Sequence, residues 1–166
     1  MAEPEYWLRG AIAGVAPLLQ PVAHALFQAR EDVGATLSAL TVEHLWSTPH
    51  GAASIGFHVK HLCGSLDRLF SYARGEALTA PQLAYLQTER DPGAPPADAA
   101  ALVALADGAI ERALAQLRGT NPATLTDARA VGRQRLPSTV LGLLFHAAEH
   151  TTRHAGQIIT TAKIVC

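Results

Sequence analysis

Four stretches of this chain carry apolar residues at steps of three and four, and almost nowhere do β-branched residues alternate with polar ones. A step of three or four follows the 3.6-residue turn of an α-helix, so each stretch has one face to bury. The first covers 17–40, with Val22, Leu26, Ala29, Val33, Leu37 and Leu40 on its stripe. The second covers 52–74, with Ile55, Val59, Leu62, Leu66, Leu69 and Ala73. The third covers 97–118, with Leu102, Leu105, Ala109, Ala113 and Leu117, an acidic Asp98 in its first turn and Gly119 as its stop. The fourth follows Pro137, takes Ser138 as its N-cap and runs to Lys163. Four amphipathic helices predict an all-α fold, a four-helix bundle. The connections after the second and third helices are long, about 20 residues each, a length that marks a crossover or a functional loop.

The 166 residues suit one domain, 1–166, able to bury a core without disulfides or a structural metal. A net charge of −1 and the lack of a basic run argue against nucleic acid or an anionic membrane as a main partner. No apolar run approaches the roughly 18 residues of a membrane span. The segment "MAEPEYWLRG" lacks the basic and apolar regions of a signal peptide. Cys63 and Cys166 read as free thiols of a reducing compartment, so a cytoplasmic location is expected. A mean hydropathy of +0.14 with 16% charged residues implies more apolar helix face than one bundle buries, and a homodimer is expected.

The chemistry concentrates in "LLFHAAEHTTRHAGQII", residues 143–159. On a helical wheel Val140, Leu143, Ala147, Ile158 and Thr161 define the inner face. His150 and His154 fall at its middle, His146 and Gln157 flank it, and Arg153 lies further out. A lone histidine on such a face is more often a satisfied core residue than a ligand. Two imidazoles at i and i+4 stack on one face and can aim ring nitrogens at one cation, and neutral imidazole suits zinc, nickel, copper and iron. The second helix adds His58 and His61 in "FHVKHLCGSLDRLF". A third ligand from a facing helix completes a three-histidine site with open positions, the catalytic arrangement for zinc. Periodicity favours His58 as the inward residue, with His61 on the border of the stripe near Ser65 and Arg68. His24, His44 and His50 have no partner at ligand spacing and read as surface or packing residues. The zinc-protease motif, the paired "E-x-x-H" of di-iron bundles, "C-x-x-C", phosphate-binding glycine loops and "G-x-S-x-G" are all absent. Cys63, flanked by apolar residues, reads as packing material rather than a nucleophile.

The segment "SIGFHVKHL" followed by "HAAEHTTRHAGQI", with "VGRQRLPSTVLGLLFH" between, resembles the DinB/YfiT superfamily, in its DinB-like subgroup, over nearly the whole chain. The resemblance implies a four-helix bundle with a three-histidine divalent metal site, often dimeric. Its helix-2 ligand lies seven residues after a serine that starts the helix, which Ser54 and His61 match. The resemblance therefore selects His61, His150 and His154 as ligands, and His58 becomes a core residue or a support for a ligand.

It also implies metal-dependent thiol chemistry, an S-transferase using a low-molecular-weight thiol. Zinc or nickel are the leading ions, with iron or manganese as further options. Arg68, Arg153 and Tyr72 are candidates to hold an acidic group of a small-molecule substrate or to orient the thiol. For each, a solvated helix face or an ordinary packing role is the plainer reading. Gln157 could hydrogen-bond a ligating imidazole, and His146 stands at the flank. Two rivals remain: a metal-dependent hydrolase, with Glu149 as a poorly aimed base, and a stress-response module that binds metal without catalysis.

Overall fold

The computed structural model describes residues 3–166. Its elements in order are α1 (Gln20–Leu37), α2 (Val42–Trp46), α3 (Ile55–Ala73), α4 (Ala80–Thr88), α5 (Ala99–Gly119), β1 (Ala128–Val131), β2 (Leu136–Thr139) and α6 (Val140–Val165). The four long helices α1, α3, α5 and α6 form the bundle: α3 and α1 each pack on both α5 and α6. The apolar stripes meet inside it. Leu26, Val33, Leu62, Leu66, Leu102, Ile110, Leu144 and Ile158 are all fully or almost fully buried.

Local chemistry sets the helix ends. Ser54 caps α3 by accepting from Phe57 N, and Asp98 caps α5 by accepting from Ala101 N. Asp98 is thus the N-cap itself, just outside the first turn where the sequence placed it. Gly119 is the last helical residue of α5 and Thr120 its C-cap. The cap of α6 is Thr139, whose Oγ1 accepts from Gly142 N at 3.0 Å, and not Ser138. Ser138 lies in β2, paired with Arg129 across a two-stranded antiparallel hairpin. That hairpin is a small addition to the all-α fold that the sequence predicts. Its strands are four residues each, too short to show as an alternating pattern. They feed α6 directly: Val140 N donates to Asp127 O and Leu141 N to Leu125 O, satisfying two of the orphan amides of the helix start.

The connection from α3 to α5 holds α4, a helix with no buried residue of its own. A capping box of Thr79 and Gln82 starts it. Gln82 Nε2 then donates to Asp67 Oδ2 and Ser71 Oγ, both at 2.8 Å, fastening α4 along α3. At the other end Lys60 Nζ donates to Thr88 O at 2.6 Å and Asp91 O at 2.7 Å. A cation there satisfies terminal carbonyls and opposes the helix dipole.

α3 and α6 run antiparallel. His61 lies against His150, while Ala73 shares a cleft with Val140 and Leu144. Leu144 is fully buried on α6. Leu144→Ala should cost roughly 2–5 kcal/mol. In urea unfolding this is read as a lower midpoint at unchanged slope.

Candidate metal centre

The seam between α3 and α6 carries a cluster of imidazoles. Ring nitrogens of His61, His150 and His154 lie within 4.8 Å of one another, and all three side chains are half-buried. His61 Nε2 and His150 Nε2 are 3.1 Å apart. Two nitrogens bound to one tetrahedral zinc at the usual bond length would stand about 3.3 Å apart. The separation of the two nitrogens is thus close to that of two ligands of one ion.

The surroundings keep His150 and His154 neutral. Burial, helped by the neighbouring imidazoles, pushes His150 down to about 4 and His154 to about 3. A neutral ring offers the lone pair a cation needs. Three imidazoles in a half-buried seam fit a divalent ion by donor chemistry as well as by spacing.

His58, at the centre of the α3 stripe, is buried, and burial holds its pKa below the usual imidazole range. It joins the seam without joining the ligand trio: its Nδ1 sits 2.9 Å from His154 Nδ1. One of the two nitrogens must donate. With His154 donating, its Nε2 keeps the free lone pair. The wheel had thus ranked burial correctly, with His58 deeper than His61. Depth is not what an open site requires of a ligand, since the ion also needs a side facing solvent.

Three residues that the sequence did not single out complete the surroundings of His61. Glu89, at the C-cap of α4, is 3% exposed, and its Oε2 lies 2.6 Å from His61 Nδ1. Phe57 stacks on the His61 ring at 5.2 Å between centroids, and the Arg90 guanidinium lies 4.4 Å from the Phe57 centroid. No sequence spacing announces Glu89, because its partners lie 21 and 28 residues earlier in the chain.

Several expected site residues turn elsewhere. Arg68 donates from Nη1 to Glu89 Oε1 at 2.8 Å and from Nη2 to Ser65 Oγ at 3.3 Å, so its guanidinium is occupied within the protein and does not reach for a substrate. Tyr72 is three helical turns from His61 and lines a separate cleft of about 590 Å³ beside Arg129, Arg133 and Arg135 of the hairpin. Arg153 folds back on Glu149, with Nε 3.0 Å from Oε1, on the exposed side of α6. That hydrogen bond holds Glu149 below the usual carboxylate range, which makes it a weaker base. Gln157 is exposed and joins none of the hydrogen bonds of the cluster. His146 is exposed at the flank, its Nδ1 3.5 Å from Glu149 Oε2. Cys63 is buried, and burial raises its thiol to about 12, which suits packing and not nucleophilic attack.

The depressed histidines make a pH prediction for the metal-free protein. Between the ordinary imidazole value of about 6.5 and the folded values, the unfolded chain binds more protons than the native one, so stability falls as pH falls through that window. Thermal melts in chelator should show Tm dropping from pH 7 to pH 4. His154→Gln should flatten that slope, and an unchanged slope would contradict the assignment.

Comparison with known proteins agrees with this architecture. A family model described as the DinB superfamily matches residues 25–158. Among solved structures, a conserved protein from Enterococcus faecalis superposes with a TM-score of 0.71 at 19% identity, over 89% of this chain and 96% of that one. At that identity the likeness shows the fold alone. No curated protein matches the sequence. With the family model spanning most of the chain, including both helices that carry the histidine cluster, this protein belongs to the DinB superfamily.

Proposed function

We propose that the chain is a single-domain, divalent-metal-dependent enzyme whose ligands are His61, His150 and His154, and that its chemistry is thiol-dependent group transfer of the S-transferase type. The observation that carries the metal reading is the convergence of three imidazoles within 4.8 Å in a seam where burial keeps His150 and His154 neutral. Zinc or nickel suit the all-nitrogen donor set best, with iron or manganese next. A bound divalent ion supplies acidity, so that a thiol, or in the rival hydrolytic reading a water, gives up its proton more readily beside it.

The chain's own residues bind and orient. His58 holds His154 through the Nδ1 contact at 2.9 Å. Phe57 covers one face of His61 and excludes water from it. Arg90, lying over Phe57, is the cation near the site mouth suited to an acidic group on the thiol or its acceptor. It takes the part that the sequence offered to Arg68 and Arg153. Thiol transfer is favoured over hydrolysis because Glu149, the base considered for hydrolysis, is engaged by Arg153. A non-catalytic metal-binding module is the third reading.

Metal analysis of the purified protein tests the ligand set. His61→Ala should lose the ion, while His58→Ala should keep it with weaker affinity; the reverse pattern would make His58 the ligand. Turnover of an electrophile by metal-loaded protein should require an added low-molecular-weight thiol, and turnover without one would favour the hydrolase. The chain is also proposed to act in the cytoplasm and as a homodimer. Exposed Trp7, Leu8, Leu18 and Phe145 supply apolar surface for association. Among the described residues, no helix is long and apolar enough to cross a membrane. Light scattering at micromolar concentration should give twice the 17.5 kDa chain mass, and a monomer there would overturn the dimer.

A further inference from the structure

Glu89 is a carboxylate in a place that disfavours one. It is 3% exposed, and burying a charge costs several kcal/mol unless it is paired and hydrogen-bonded. Both of its oxygens are used: Oε1 accepts from Arg68 Nη1 at 2.8 Å, and Oε2 faces His61 Nδ1 at 2.6 Å. Room for it is cut into α3. A Cβ on Gly64 would collide with Glu89 Oε1 and lie 2.8 Å from the Tyr85 ring. A glycine in mid-helix is itself unfavourable by about 1 kcal/mol relative to alanine. α4 is also fixed so as to bring Glu89 there, through Lys60 on its terminal carbonyls and Tyr85 OH donating to Lys60 O at 3.2 Å.

We propose that Glu89 is a positioning residue that fixes the tautomer of His61, and that Arg68 fixes the orientation of Glu89. A carboxylate only accepts, so the proton of the neutral ring stays on Nδ1 and the lone pair stays on Nε2. Nε2 is the atom that faces His150 at 3.1 Å. Arg68 only donates, so whatever stands at position 89 must turn an acceptor toward it. The proposal deepens the reading of His61 as a ligand and rests on it for its effect on metal affinity. Its first readout, the site of the ring proton, is independent of metal and of activity.

Glu89→Gln separates the idea from a merely structural role. The side chain keeps its shape, but Arg68 draws the amide oxygen and leaves the NH2 facing His61 Nδ1. The ring should then switch its proton to Nε2. Nitrogen-15 spectra of the imidazoles, taken on metal-free protein at a pH where the rings are neutral, should show His61 as Nδ1–H in the wild type and Nε2–H in Glu89→Gln. Zinc affinity by chelator competition should fall about ten- to hundred-fold, the usual effect of losing a ligand's partner. In Arg68→Met with Glu89→Gln the amide is free to turn its oxygen to His61, so the Nδ1–H form and part of the affinity should return. A structural role predicts instead that the double variant is worse than the single one. Nε2–H in the wild type, or an unchanged tautomer in a folded Glu89→Gln protein, would overturn the proposal. Correct tautomers with no zinc binding by the wild type would uphold it and remove the metal reading instead.

Discussion

The structure turns on one demand: imidazoles set into the seam between α3 and α6 must find partners for the ring nitrogens that they bury. An unsatisfied polar atom in such a place costs about as much as a lost core contact. The fold answers with contacts among the rings and one carboxylate. His154 Nδ1 meets His58, His61 Nε2 meets His150, and His61 Nδ1 meets Glu89. Among the described residues no buried side-chain nitrogen or oxygen lacks a partner. Meeting that demand explains features that a plain bundle has no use for: the glycine at 64, the short helix laid along α3, and an arginine paired with a buried glutamate.

The bundle was legible from the chain because burial writes itself into local spacing. Val22, Val59, Leu102 and Val140 recur with their neighbours at helical period, and all are buried. His150 and His154 were legible for the same reason, since i and i+4 on one helix share a face in any fold. The choice between His58 and His61 was not. Periodicity reports depth, and by depth His58 outranks His61; only the family resemblance pointed to the shallower ring. Glu89 left no trace of any kind. Its role comes from α4 crossing back over α3, a matter of tertiary path and not of period. The hairpin before α6 was hidden for a simpler reason: four-residue strands with Pro137 in one of them carry too little pattern to read.

The same seam sets the electrostatics. Desolvation that keeps His150 and His154 neutral removes the competition between protons and a cation. Beside the trio, the buried Glu89 is opposed by the charge of the half-buried Arg68. An ion held by neutral rings would therefore keep its charge for whatever enters the open side. The exposed Arg90 lies over Phe57, the ring stacked on His61, and adds a positive charge to these surroundings.

α4 deserves a mechanical reading in these terms. It buries no residue along its length, so hydrophobic burial does little to hold it. Its position depends on polar ties at both ends: Gln82 to Asp67 and Ser71, Lys60 to the terminal carbonyls, and Glu89 to Arg68 and His61. Segments held this way open locally at lower free energy than bundle helices. One of those ties is a site histidine. The orientation of His61 and the docking of α4 are thus two ends of one hydrogen bond, and neither can change without being felt at the other.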